Sequence, residues 1–69
     1  MTKTRRALRL RDVEEKTGMR RSQIFAAVKL GIFPAPFHPM PGGRAVAWDE
    51  SEIDHHLEGQ MALRNSEDA

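Results

Sequence analysis

Two stretches in the first half of the chain place apolar residues at helical spacing and end in a glycine. Leu10 opens the first stretch, and Gly18 follows it in the position that glycine favours after a helix. The second stretch begins at Arg20 or Arg21 and closes at Gly31. Its expected buried stripe has three members: Ile24, Phe25 and Val28. The pattern predicts two short helices joined by a tight turn, which is the spacing of a helix-turn-helix.

The pattern changes after the second glycine, because all four prolines lie between positions 34 and 41. Neither a helix nor a central strand continues through so many prolines. The segment "RAVAW" that follows alternates as a short strand does. We expect Ile32 and Phe33 to pair with residues 46–48 as a two-stranded ribbon, with "PGG" at its tip. Such a ribbon beside a helix-turn-helix is a wing.

A third helix has the clearest start signal in the sequence. Asp49 is a natural N-cap, Glu52 completes a capping box, and Trp48 faces Ile53 as a hydrophobic staple. We expect this helix to end near Met61.

The predicted fold is therefore mainly α with a small β-ribbon: a winged helix-turn-helix with a helix-turn-helix, a two-stranded wing and a third helix. Residues 1–8 are expected to form a flexible basic arm, residues 9–61 the DNA-binding domain, and residues 62–69 a disordered acidic tail.

Charge is segregated along the chain although the net charge of the 69 residues is only +1. The part through Arg44 holds ten lysines and arginines against three acids, whereas the part from Ala45 onward holds one base and seven acids. This asymmetry indicates that a basic surface contacts the partner and that the acidic residues form a separate face.

Other classes of protein find little support in the sequence. The chain has no cysteine, no apolar run long enough to span a bilayer, and no apolar segment typical of a signal peptide. Glu52 and His55 have ligand spacing, but a zinc site needs three or four convergent ligands. We therefore expect no metal, no cofactor, no membrane association and no enzymatic activity, and a cytoplasmic, nucleoid-associated location in a bacterium or phage.

Four segments of the sequence, in this order, resemble the AlpA-type regulators of phages and prophages. They are "LRDVEEKTGMRRSQIF", "KLGIFPAP", "GGRAVAW" and "ESEIDHHL", which run from Leu10 to Leu57. These regulators are similar to a wider group of excisionase-like and MerR-like winged-helix proteins. The chain departs from the family pattern at Arg20, where relatives keep a capping serine, and at Ala26, where a basic residue is common. The missing cap costs about 1 kcal/mol.

The resemblance implies a short DNA-binding protein that regulates nearby genes. In the family the start of the second helix enters the major groove and the wing reaches the DNA backbone or minor groove. Carried over, the residues that face the groove are Arg21, Ser22 and Gln23. The residues of the wing contact are Gly42, Gly43 and Arg44.

The chemistry of the second helix is consistent with this expectation. Arg20 and Arg21 place positive charge at the positive end of a helix, and a phosphate there would relieve the repulsion. An arginine can bind guanine O6 and N7, and Gln23 can pair with adenine N6 and N7. Lys29 is expected to contact a phosphate.

Double-stranded DNA is thus the expected partner of a chain that is a monomer in solution and binds DNA cooperatively or as a dimer. Two arm residues, Arg5 and Arg6, are further candidates because basic arms bind the minor groove. One alternative is an excisionase that bends DNA and contacts an integrase. Another is a protein-interaction adaptor that docks on a recombinase or RNA polymerase through its acidic residues, which include Asp49, Glu50, Asp54 and Glu58.

Overall fold

A computed structural model describes residues 6–68, with side chains described through residue 65. Three helices and one two-stranded antiparallel sheet follow one another in the order β1 (Ala7–Leu8), α1 (Leu10–Thr17), α2 (Arg21–Lys29), β2 (Trp48–Asp49) and α3 (Glu50–Asp68). This arrangement confirms the predicted fold class, a mainly helical winged helix-turn-helix.

The turn between α1 and α2 is built by the last residues of α1. The Gly18 N–H donates to the Glu14 carbonyl at 2.8 Å, which ends the helix in a left-handed residue. The Thr17 hydroxyl donates to the Val13 carbonyl at 2.7 Å and accepts the Met19 N–H at 3.1 Å. The backbone groups released at the end of α1 therefore find partners within the turn, so α2 can begin at Arg21.

The end of α2 is a Schellman motif. The Gly31 N–H donates to the Val28 carbonyl, and the Ile32 N–H donates to the Ala27 carbonyl, both at 3.0 Å. Gly31 has φ 76°, a left-handed conformation that glycine adopts without a steric penalty. This motif turns the chain sharply away from the axis of α2.

The core lies where the three helices meet the sheet. The largest fully buried side chains among residues 6–65 come from α1, α2, β2 and α3: Val13, Ile24, Trp48 and Ile53. Leu8, Ala27 and Phe33 complete the cluster. The polar edge of Trp48 is also satisfied, because its Nε1–H donates to the Pro34 carbonyl at 2.8 Å.

The strand pairing differs from the sequence prediction. Ile32 and Phe33 form no strand, and Ile32 is 65% exposed. The partner of Trp48 is Leu8, in β1. The Schellman motif directs the chain away from the sheet, and the prolines that follow lack the N–H groups that a ladder requires. The wing is closed instead by an isolated bridge between Phe37 and Ala47.

The N-terminal boundary of the domain is also corrected. Ala7 and Leu8 were expected in the flexible arm, but they form β1, and Leu8 is only 2% exposed. The burial of an apolar side chain against the core outweighs the local signal of the surrounding basic residues. The folded region thus includes residues before the predicted start at 9.

The start of α3 follows the prediction, whereas its end does not. The Asp49 carboxylate accepts the Ser51 N–H at 3.1 Å, which confirms Asp49 as the N-cap. Trp48 and Ile53 are both buried in one cluster, as a staple requires. The helix, however, continues to Asp68 instead of ending near Met61 in a disordered tail. Gly59 weakens a helix but does not break it, and no proline follows.

None of the helices within residues 6–68 is both long enough and apolar enough to cross a membrane.

Candidate nucleic-acid interface

The solvent-facing side of α2 carries the residues that the sequence assigned to it. Ile24 and Ala27 are buried, so the opposite side of the helix is exposed to solvent. The three predicted groove-facing residues and the predicted phosphate contact are on that exposed side, together with Arg20 at the N-cap and Ala26 in the middle of the helix: Arg21, Ser22 and Gln23, and Lys29. The structure therefore brings the predicted α2 residues to one accessible surface.

The first turn of α2 is capped from within the helix. Arg20 occupies the N-cap position, and its guanidinium, which has no acceptor atom, cannot cap the backbone. Instead, the Gln23 Oε1 atom accepts the Arg20 backbone N–H at 2.9 Å. Gln23 is thus a structural residue as well as an exposed one, a role that the sequence analysis missed. The available signal was a glutamine three positions after the N-cap.

The first turn of α1 uses the same device. The Asp12 Oδ2 atom accepts the Arg9 backbone N–H at 3.1 Å, and Arg9 is the N-cap. Both helices of the helix-turn-helix therefore begin with an arginine whose N–H is capped by the side chain three residues later.

Phe25 connects α2 to the root of the wing. Its ring centroid lies 5.9 Å from that of Trp48, with the ring planes tilted by 52°. Such tilted aromatic pairs add about 0.5–1.5 kcal/mol to the burial of the rings. An open groove beside this contact is lined by Glu14, Arg20, Arg21, Ser22 and Phe25. The exposed end of α2 thus has a fixed position relative to the base of the wing.

The wing begins and ends at one residue pair. Phe37 and Ala47 exchange two backbone hydrogen bonds, each 2.8 Å long. Within the wing, His38 Nδ1 lies 3.2 Å from the Ala45 carbonyl oxygen, so a proton on Nδ1 makes a second cross-link. These contacts hold the two sides of the loop together.

The tip of the wing is a type II turn. The Gly43 N–H donates to the Met40 carbonyl at 3.0 Å, Pro41 occupies the second position, and Gly42 in the third has φ 73°. A methyl group at Gly43 would lie 3.2 Å from the Met40 carbonyl oxygen. The left-handed position therefore favours glycine at Gly42, and the close contact with Met40 favours it at Gly43. Both residues precede Arg44, which is exposed.

Two groups of basic side chains differ in their contacts with acids. Among the side chains of residues 6–65, no carboxylate lies within 4.0 Å of the cationic groups of four residues on α2 and the wing: Arg20, Arg21, Lys29 and Arg44. We call these residues the unpaired cations. Three further arginines, at the start of α1 and in α3, belong to neither group, and their guanidinium groups also have no carboxylate within 4.0 Å among the side chains of residues 6–65: Arg9, Arg11 and Arg64.

The paired cations, Arg6 and Lys16, lie beside α3. Lys16 Nζ is 2.6 Å from Asp54 Oδ1 and 3.1 Å from Glu50 Oε2. The hydrogen bond to Asp54 and then the one to Glu50 raise the pKa of Lys16 above its ordinary value. The acids of α3 that face α1 are thus already neutralised within the fold.

Only one of the two arm candidates can be placed. Arg5 lies outside the described residues. The Arg6 carbonyl accepts the Glu50 N–H at 2.9 Å. The Nη1 atom of the Arg6 side chain is 3.7 Å from Glu50 Oε2. Arg6 is therefore attached to the start of α3, unlike a residue of a free arm.

The histidines do not converge on a metal site in the described part of the chain. No group of three or more potential ligands is found there that could hold a metal ion. His55 is exposed, and His56 packs edge-on against Phe33 with ring centroids 4.9 Å apart.

A comparison with known families agrees with this geometry. The family described as Prophage CP4-57 regulatory protein (AlpA) matches residues 6–61. The chain belongs to the AlpA family. The match includes β1, the helix-turn-helix, the wing and the first part of α3, and it is a match to a family of regulatory proteins and not of enzymes. Comparisons with curated proteins and with solved structures find no match.

The limits of the AlpA match bear on the extent of the domain. The match begins at residue 6, so it includes the strand β1 that the sequence analysis assigned to an arm. It ends at residue 61, where the predicted domain also ends, although α3 continues beyond that point.

Proposed function

We propose that this AlpA-family protein binds double-stranded DNA sequence-specifically and regulates transcription of prophage or mobile-element genes. The observation that carries the proposal is the distribution of the cations. The four unpaired cations lie on α2 and the wing, whereas Arg6 and Lys16 beside α3 pair with Glu50 and Asp54. Exposed, unpaired cations on a helix-turn-helix and its wing are suited to the phosphates on either side of a groove.

The proposed complex places the first turn of α2 in the major groove. Arg21 and Ser22 then face the base edges, and an arginine there can bind O6 and N7 of guanine. Lys29, at the other end of the helix, contacts a phosphate and adds affinity without base preference.

The wing supplies a second contact with the DNA backbone. Arg44 follows the glycine turn at the tip, where the absence of side chains allows the main chain to approach a phosphate closely. Phe25 and Trp48 fix the separation between this contact and α2.

The adaptor alternative has less support from the geometry. Of the acids that it would use, Glu50 and Asp54 are paired with Lys16, and Asp49 caps α3. A partner docking on this face would have to displace those contacts.

A fluorescence anisotropy titration tests the proposal. A preferred duplex is first selected from a random library, and its affinity is then measured over a range of salt concentrations. About 6–8 phosphate contacts predict a log–log slope on the order of −5 to −7. No binding at about 50 mM salt, or a slope near zero, would contradict DNA binding. Equal affinity for the selected and a scrambled duplex would contradict sequence specificity alone.

A further inference from the structure

Glu14 is an acid in the groove at the start of α2. The same groove is lined by two of the unpaired cations, Arg20 and Arg21. Glu14 is half-buried, and among the side chains of residues 6–65 no cationic group lies within 4.0 Å of its carboxylate. A negative charge without a bonded cation therefore lies beside cations that are proposed to contact DNA.

The two flanks of α1 differ in how their charges are compensated. Val13 faces the core, and a rotation of about 100° per residue places Lys16 and Glu14 on opposite flanks of the helix. Lys16 forms ion pairs with Glu50 and Asp54 of α3. Glu14, on the flank towards α2, forms no ion pair with the arginines of its groove. The position of Glu14 is therefore not explained by an ion pair that stabilises the fold.

The charge of Glu14 reduces the positive potential at the first turn of α2. An anion held in the groove is attracted by the two arginines and repelled by the carboxylate. This repulsion falls with distance and is screened by salt over about 8–10 Å, so it acts without a direct contact. Unlike a hydrogen bond, it does not depend on the direction in which the carboxylate points.

We propose that Glu14 limits the affinity of this protein for DNA by opposing phosphates at the start of α2. The inference rests on the proposed DNA-binding function. Phosphate contacts carry no sequence information, so the repulsion weakens binding to every duplex alike. Base preference is then left to the residues that face the bases, and the many non-specific sites of a genome bind the protein less tightly.

Glu14→Gln tests the proposal, because it removes the charge and keeps the size of the side chain. The Glu14 backbone carbonyl, which accepts the Gly18 N–H at the end of α1, is retained. At about 0.1 M salt we expect the affinity for the selected and the scrambled duplex to rise by the same factor, about two- to fivefold. The gain should shrink as salt is added. Damage to the fold would lower the affinity, so it cannot produce this result.

Glu15→Gln is the matched control, because it makes the same change of net charge one residue further along α1. Glu15 is exposed and does not line the groove. We expect its affinity for both duplexes to stay within about 1.5-fold of the wild type. Equal gains in the two variants would assign the effect to net charge and overturn the local role of Glu14.

A direct contact with a base would give the opposite result. A carboxylate can accept a hydrogen bond from N4 of cytosine, and Glu14→Gln would then weaken the selected duplex and relax the preference at one base pair. That outcome, or an unchanged affinity, would overturn the proposal while leaving DNA binding intact. A wild-type protein that binds neither duplex would contradict the proposed function itself.

Discussion

The two groups of cations differ in how the fold treats them. The paired cations, Arg6 and Lys16, contact acids at the start of α3 and hold the N-terminal part of the domain to that helix. The unpaired cations lie on α2 and the wing and have no carboxylate within 4.0 Å among the side chains of residues 6–65. The net charge of +1 reveals neither group. Which cations remain available to a partner depends on the tertiary contacts of the acids, and not on their number.

Trp48→Ala should have the largest effect, because this residue supports both groups. Trp48 is fully buried, contacts Phe25 of α2 and pairs with Leu8 of β1. Its truncation should cost about 3–5 kcal/mol, which is most of the stability expected of so small a domain. Urea unfolding followed by circular dichroism measures the loss. A cooperative transition close to that of the wild type would show that the two groups do not share this support.

Arg21→Ala and Lys16→Ala test the division between the groups directly. We expect Arg21→Ala to weaken binding to the selected duplex about 10- to 100-fold and to relax base preference. Lys29→Ala should weaken all duplexes alike and reduce the salt slope by about 1. Lys16→Ala should change affinity by less than about threefold. Titrations at one salt concentration provide the comparison, and an equal loss in Lys16→Ala and Arg21→Ala would contradict it.

Gly42→Ala tests the wing contact, and its expected effect on DNA affinity is smaller. The φ of 73° at Gly42 is strained for alanine by about 1–2 kcal/mol, so the turn that presents Arg44 should loosen. We expect a lower melting temperature and a few-fold loss of DNA affinity. Gly59→Ala is the control: it lies in α3, a methyl group there meets no atom within 4 Å, and it should raise stability by about 1 kcal/mol. A Gly42→Ala protein with wild-type affinity would argue against a wing contact.

The smallest effect concerns the pH dependence of the paired group. The pKa of Lys16 is raised above 10.5 by its hydrogen bonds to Asp54 and Glu50. Its contribution to stability is therefore complete below about pH 10.5 and is lost as the pH rises through the higher pKa of the folded state. Urea unfolding of wild type and Lys16→Met should give a difference that is constant up to about pH 10 and then shrinks. Because the pair is exposed, added salt should reduce the same difference. A difference that grows above pH 10.5 would contradict the assignment.

The sequence predicts the helix-turn-helix well because its signals are local. The glycines that end α1 and α2 act within a few residues of the helix ends, and the apolar stripe of α2 identifies its buried side. The N-cap of α3 is read in the same way from Asp49.

The sheet could not be predicted in this way, because pairing depends on distant segments. Leu8 and Phe33 are both apolar residues near a turn or a basic stretch, and nothing local shows which of them lies beside Trp48. The structure places both in the core but gives the backbone pairing to Leu8.

For the candidate interface, the sequence identifies which residues of α2 are exposed but not what their polar atoms already contact. Gln23 has a side chain that can form hydrogen bonds with a base. Its hydrogen bond with the Arg20 backbone N–H depends on a rotamer that the sequence does not specify. The same is true of Arg6, whose place in a basic segment gives no sign of its contact with Glu50.

The pairing of β1 with β2 has a consequence for synthesis of the protein on the ribosome. Leu8 is made early, but its partner Trp48 follows only after both helices of the helix-turn-helix and the wing. The two short helices can form from local contacts within microseconds, whereas the sheet must wait for the loop between its strands to emerge and close. We therefore expect the nascent chain to hold an unfinished helix-turn-helix until Trp48 emerges, and to complete its core in a single late step.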